Sequence, residues 1–202
     1  MNNKNQLSSF HLDKKINEKI KTKDDLKYFI AEDAKSNHIK CNYLRYIISL
    51  IYGLEFAHSF RYLKSMRHYE YHINNSGIYH KILALYYKIK LSRLGMKYNI
   101  HITPNTCGYG LRILHLFGGG HILNVDKVGN YCSFNANVVL GTNGSNVKPQ
   151  LGNCVDIGPG AKVFGGITIG DNVFIAANAV VTKNVPNNVI IGGVPAKIIR
   201  NK

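Results

Sequence analysis

The sequence predicts an α+β chain in which a basic, helical N-terminal half precedes a parallel β-helix of hexapeptide repeats. The first observation is a six-residue period. From Val128 a bulky apolar residue returns at Phe134 and Leu140, then after an insertion at Leu151, Ile157, Val163, Ile169, Ile175 and Val181. The second is a compact partner slot four residues on, filled by Cys132, Val138, Val155, Ala161, Ile167, Val173, Ala179 and Val185. The third is helical spacing of apolar residues upstream of residue 98. At 45% hydrophobic content, nine hexad hits in a row arise by chance in about one register in a thousand. Such hexads suit short strands that meet at turns while side chains stack coil over coil. An ordinary β-sandwich would instead alternate with period two and turn every ~8–12 residues.

The elements follow in order. Residues 1 to about 21 are polar and lysine-rich and read as a mobile arm. Thr22-Lys-Asp-Asp25 has the form of a capping box, and Leu26, Phe29, Ile30 and Ala34 follow at helical spacing, predicting a helix near 23–35. A second helical region runs from about 41 to 72 with a break near Gly53. A third runs from about Tyr79 to Lys97, with Ile82, Leu83, Leu85, Tyr86 and Ile89 on its apolar side and Asn74-Asn-Ser-Gly77 as the preceding turn. The boundary between a helical domain (1–98) and a β-helix domain (99–202) falls near Asn99.

The formal charge of +15 is uneven: residues 1–100 hold 18 Lys+Arg against 8 acids, and residues 101–202 hold 8 against 3. Anionic partners for such a chain include nucleic acid, coenzyme A, nucleotide sugars, acidic glycans and the inner membrane surface. No nucleic-acid-binding motif accompanies the charge. Phe60–Tyr71 mixes Tyr with cations, which fits either an amphipathic core helix or a surface for a glycan, a lipid-linked acceptor or the membrane interface. The four Cys show no C-x-x-C pairing, and Cys132 occupies a compact hexad slot where it reads as a small buried hydrophobe. The N-terminus lacks an apolar signal region, and Tyr46–Leu54 is far short of the ~20 residues that span a bilayer. The expectation is a cytoplasmic protein, with peripheral contact to the inner membrane face as an option.

Ile157-Gly-Pro-Gly-Ala-Lys162, Ile169-Gly-Asp-Asn-Val173, Ala177-Asn-Ala-Val-Val-Thr-Lys183 and Gly193-Val-Pro-Ala-Lys197 resemble the left-handed β-helix hexapeptide acyltransferases. The likeness is to the serine acetyltransferase-like branch that includes capsule and O-antigen O-acetyltransferases, and it covers the chain from about residue 99. It implies left-handed coils of three hexads and acetyl-CoA as co-substrate, without a metal. It also implies a homotrimer, with the helical half decorating one end or pairing trimers into hexamers.

Acetyl transfer from a thioester to an alcohol needs a base, oxyanion donors and a groove for the coenzyme. Gly110-Leu-Arg-Ile-Leu-His115, followed by Gly118-Gly-Gly120, looks like the family's Gly-Leu-x-Ile-x-His segment, which makes His115 the candidate base. Glycines beside it allow a substrate close to the backbone. Leu114 stands where serine acetyltransferases carry Asp, Val147-Lys148-Pro149 where they carry Arg-His-Pro, and His101 where they carry an acid. On these departures His115 has no identified orienting partner, a backbone carbonyl being one option. Free serine is disfavoured against a sugar hydroxyl.

The five extra residues between Leu140 and Leu151 form a loop that nominates Asn143, Asn146 and Lys148 as acceptor contacts. Pro159 and Ala177 lie eighteen apart and so share a face, and Ala136 joins them once the insertion is discounted; the resemblance implies that this small-residue wall lines the pantetheine arm. Lys183, Lys197 and Arg200 are candidate partners for the coenzyme phosphates. The leading expectation is an acetyl-CoA-dependent O-acetyltransferase acting on a bacterial surface polysaccharide or its precursor. Serine O-acetyltransferase of cysteine biosynthesis is the alternative. A zinc-dependent β-helix carbonic anhydrase is disfavoured because no His follows His121. A non-catalytic binding module is the remaining class.

Overall fold

A computed structural model describes residues 19–39, 43–144 and 146–202, and for Tyr43 the backbone alone. Most of the expected N-terminal arm, and Cys41, lie outside the described residues. Its described end is packed: Ile20 is buried against Leu26 and Phe29, and its carbonyl accepts a hydrogen bond from Asn74 Nδ2 at 3.1 Å.

Helix α1 (Lys23–Ser36) starts at the expected capping box: the Asp25 N–H donates to Thr22 Oγ1 at 3.0 Å, and Asp25 Oδ2 accepts from the Thr22 N–H at 2.9 Å. Helices α2 (Tyr43–Ile51) and α3 (Glu55–Ile73) replace the second helical region, divided at Gly53, which adopts φ +71°. Helix α4 (Ile78–Tyr98) ends on Asn99 in the left-handed conformation. The face assignment for α4 needs correction. Leu91, Leu94 and Tyr98 are its buried residues, whereas Ile82, Leu85, Tyr86 and Ile89 are exposed and Leu83 is half-buried. The helix is apolar on two sides, so apolar spacing by itself does not select the packed one.

From Ile100 the chain winds as a parallel β-solenoid with three sheets. One stacks β1 (Ile100–Ile102), β3 (His121–Leu123), β6 (Val139–Gly141), β9 (Lys162–Phe164) and β12 (Val180–Val181). A second stacks β4 (Lys127–Val128), β7 (Gln150–Leu151) and β10 (Thr168–Ile169), extended by single bridges at Cys107 and Val185. The third stacks β2 (Arg112–Ile113), β5 (Ser133–Phe134), β8 (Asp156–Ile157), β11 (Phe174–Ile175) and β13 (Val189–Gly192), closed by the antiparallel β14 (Lys197–Asn201). The fold class is the one expected. All nine bulky hexad residues and all eight compact ones, Cys132 included, are buried in one continuous core.

The solenoid starts before the period does. Ile113 pairs with Phe134 and Cys107 bridges to Val128, twenty-one residues apart, and Leu123 pairs with Leu140, seventeen apart. The coil with the inserted loop spans twenty-three, as for Phe134 and Ile157; the next spans eighteen, as for Ile157 and Ile175; and the last spans sixteen, as for Ile175 and Ile191. At the edge between the second and third sheets, Asn130, Asn153, Asp171 and Asn187 each accept a backbone N–H from the neighbouring coil through Oδ1. Glycines precede this ladder for a steric reason. A β-carbon at Gly152 would meet Asp171 Oδ1 and lie 2.9 Å from the Asp171 nitrogen.

The helical half is fused to the first coil through α3. Tyr62, Leu63 and Met66 share the solenoid's core, and beside them Arg67 is completely buried. Its Nε donates to Asp33 Oδ2 at 2.8 Å, and Nη1 to Glu70 Oε2 at 3.0 Å and to the Cys107 carbonyl at 2.9 Å. Asp33 also accepts the Leu111 N–H at 2.9 Å, and Glu70 the Asn105 N–H at 2.7 Å. Buried ions are tolerated where every polar atom finds a partner. The Tyr- and cation-rich segment 60–71 is therefore mostly core, with Phe60, Tyr62, Leu63, Met66, Arg67 and Glu70 buried.

Candidate active site

His115 sits where the chain leaves β2 and turns toward β3. It adopts φ +60°, a left-handed conformation uncommon for a residue with a β-carbon, and caps a 3-10 turn over Leu116–Gly118. Leu116 is buried and anchors the turn, while the His115 side chain is 63% exposed and Phe117 is 83% exposed beside it. The turn lies close on the next coil. A β-carbon at Gly118 would stand 2.8 Å from the Ala136 Cβ and 3.9 Å from the His115 Cβ, so glycine is what brings His115 and Ala136 to one edge.

Along that edge the coils stack in order. The Gly160 N–H donates to the Ala136 carbonyl at 2.8 Å, and the Asn178 N–H to the Pro159 carbonyl at 2.9 Å. Ala136, Pro159 and Ala177 thus form one continuous strip leading away from His115. Pro159 and Ala177 are exposed and Ala136 is nearly buried. Lys197 and Arg200 lie exposed on β14, at the margin of the third sheet and toward the far end of the strip. Lys183 is exposed at a different edge, after β12. The inserted loop leaves β6 for β7, also at that other edge: Asn143 and Asn146 are exposed and Lys148 is half-buried. The loop folds back over Gly165 and Gly166, where added β-carbons would meet Asn143 and Val147. Within one chain, then, the structure gathers His115, Ala136, Pro159 and Ala177 at one edge and Asn143, Asn146, Lys148 and Lys183 at another.

The partner of His115 is Glu55, which the sequence reading missed. Glu55 is the first residue of α3, a position where the helix dipole favours a carboxylate. Its Oε1 accepts the backbone N–H groups of His115 and Leu116, the latter at 3.1 Å, and its Oε2 lies 3.8 Å from His115 Nδ1. One carboxylate therefore holds the backbone at His115 and Leu116 and lies near the Nδ1 side of the ring, leaving Nε2 as the other ring nitrogen. This corrects the expectation that His115 lacks an orienting partner other than a carbonyl. Sixty residues separate the two in sequence, so no local motif signals the pairing.

His121 and His101 stand apart from this chemistry. His121 is fully buried opposite Ile100, and burial, with the nearby His115 charge as a lesser influence, pushes its pKa down to about 4, so it stays neutral. His101 points out of the same sheet beside Ile122. Among the described residues no cluster of three or more His, Cys, Asp or Glu is placed to hold a metal ion.

No family model matches the chain. It is 39% identical over 113 residues to a serine acetyltransferase of Synechococcus elongatus, covering 54% of this chain and 45% of that protein. Its fold superposes on a serine acetyltransferase of Brucella abortus with TM-score 0.67 at 24% identity, covering 89% of this chain and 70% of that one. It also superposes on a Neisseria gonorrhoeae serine acetyltransferase in complex with serine, with TM-score 0.62 at 27% identity, covering 86% and 69%. The Brucella fold has in addition been solved in complex with coenzyme A, TM-score 0.63. Over about half of its length the chain is similar to serine acetyltransferases. It spans about half the length of the curated relatives it matches.

These matches overturn the expectation of a polysaccharide hydroxyl as acceptor. That expectation rested on Leu114, Lys148 and His101 standing where serine enzymes carry other groups. Position 114 itself carries no carboxylate, but Glu55, from the other half of the chain, places one beside the neighbouring His115.

Proposed function

We propose that this chain is an acetyl-CoA-dependent O-acetyltransferase whose acceptor is the side-chain hydroxyl of L-serine. The observation that carries the reading is the His115–Glu55 pair at the head of the small-residue strip, on a fold shared with serine acetyltransferases.

His115 takes the acceptor hydroxyl proton as the oxygen attacks the thioester carbonyl carbon. The C–S bond breaks in the collapse of the tetrahedral adduct, and the imidazolium returns its proton to the departing thiolate. Transfer is direct, so the acetyl group never resides on the protein. Glu55 fixes the ring through Nδ1 and stabilises the imidazolium that forms between the two proton transfers. The strip of Ala136, Pro159 and Ala177 supports the pantetheine arm. Pro159 offers no N–H, so any amide bond there comes from a neighbour. Lys197 and Arg200 receive the coenzyme's phosphates from the end of the strip.

The two edges complete each other in a homotrimer, where the loop of one protomer meets the His115 edge of the next. Asn143, Asn146 and Lys148 then contact the acceptor, and Lys183 reaches the coenzyme, across the subunit boundary. The test is thiol release from acetyl-CoA. His115→Ala lowers kcat by about 10²–10⁴ while the variant stays folded; near-normal turnover removes His115 from the mechanism. An acetylated protein trapped by mass spectrometry refutes direct transfer.

A further inference from the structure

Helix α4 presents a second apolar face that no other described residue covers. Ile78, Ile82, Leu85, Ile89 and Met96 recur at spacings of four, three, four and seven, and all are exposed. Spacing of this kind keeps them on one side of the helix, opposite Leu91, Leu94 and Tyr98, over about 27 Å. Cations flank the stripe on both sides: Lys81 and Lys88 along one margin, Lys90, Arg93 and Lys97 along the other. The helix carries no Asp or Glu.

Beside the stripe lies an open cleft of about 380 Å³ lined by Arg61, Tyr86, Ile89, Lys90, Arg93 and Leu94. Three cations converge here, and among the described residues no carboxylate pairs with them. Lys90 instead rests over the Tyr86 and Tyr87 rings, 5.9 Å and 5.6 Å from their centroids. Burial, followed by the Arg61 charge, pushes its ammonium below the ordinary lysine range. Such crowding is relieved by an anion. A second copy of the same face would bring like charges together, which is unfavourable. A surface both apolar and anionic matches stripe and cleft at once, and no helix among the described residues is long and apolar enough to cross a membrane.

We propose that α4 lies on an anionic phospholipid surface, with Ile82, Leu85 and Ile89 at the acyl boundary and Arg61, Lys90 and Arg93 holding headgroup phosphates in the cleft. This is the binding mode of an amphipathic helix in the interface plane, with long cationic side chains reaching from an apolar stripe to the headgroups.

The test is co-sedimentation of the full chain with phosphatidylcholine vesicles, with and without phosphatidylglycerol. Binding is expected to the anionic vesicles, to weaken with added salt, and to fall about tenfold or more in Lys90→Glu/Arg93→Glu. Leu85→Gln is expected to weaken it at every salt concentration, while Lys27→Glu on α1 leaves it unchanged. Circular dichroism and thermal melting confirm that each variant folds. Absence of binding, or equal binding to neutral vesicles, overturns the proposal. So does displacement by inorganic phosphate alone, which marks the cleft as a free-anion site. Light scattering adds a last outcome: an assembly that Leu85→Gln splits assigns the stripe to a second copy and overturns the lipid reading.

Discussion

Replacing Arg67 tests how the two halves are joined. The Arg67→Met variant keeps much of the side chain's volume but removes every donor that the guanidinium supplies. Asp33, Glu70 and the Cys107 carbonyl lose bonds of 2.8–3.0 Å, and all lie in the interior. Breaking a buried ion cluster by removing one partner costs about 3–5 kcal/mol, because the surviving charges stay buried. Urea unfolding at pH 7 reads this as a lower midpoint at unchanged slope. Burial already pushes the Asp33 and Glu70 carboxyls upward, with Arg67 the first influence opposing it. Without Arg67 their folded-state pKa values rise further above the unfolded ones. A raised carboxyl adds stability below its unfolded pKa and loses it as pH rises through the folded pKa. The variant's deficit is therefore expected to shrink as pH falls from 7 toward 5. A loss below about 1 kcal/mol, or a deficit independent of pH, refutes the view that a tightly paired charge cluster joins the halves.

Three further outcomes follow from the same structure. Glu55→Gln keeps the shape of the His115 contact but removes its charge, and is expected to lower kcat by about tenfold or more without unfolding the chain; unchanged kcat removes Glu55 from the reaction. His121, held neutral with its pKa near 4, refuses a proton that the unfolded chain accepts below about 6.5, so stability falls with acidification across that window. The decline reaches about 3 kcal/mol by pH 4, and His121→Phe should flatten this part of a melting-temperature profile; an unchanged profile contradicts the assignment. Gly152→Ala forces a β-carbon against Asp171 on the next coil and is expected to cost about 1–3 kcal/mol by thermal melting, whereas a neutral result shows that the ladder yields.

The solenoid was legible because each coil repeats the same burial demand. A period that follows from stacking is written at every hexad from Val128 to Val181, and every one of those residues is buried. The first coils were not legible as hexads because the turn carrying His115 lengthens one coil to twenty-one residues, and the coil after it is shortened to seventeen. The capping box at Thr22 was readable because its partners lie three residues apart. Glu55 and the Arg67 cluster were not, since apart from Arg67–Glu70 their bonds join residues separated by 34 to 78 positions. The α4 face was misassigned for another reason: spacing marks an apolar stripe, and only packing decides which of two stripes is covered. In the site itself, the stacked strip of Ala136, Pro159 and Ala177 followed from counting coils. The division of the remaining residues between two edges required the path of the inserted loop.

The most direct test follows acetyl-CoA and L-serine with the purified chain, reading free thiol and O-acetylserine together. The account predicts equal release of both products, saturable in serine, and a parallel loss of both in His115→Ala. Thiol release that L-serine does not stimulate, or acetylserine formed undiminished by His115→Ala, contradicts it.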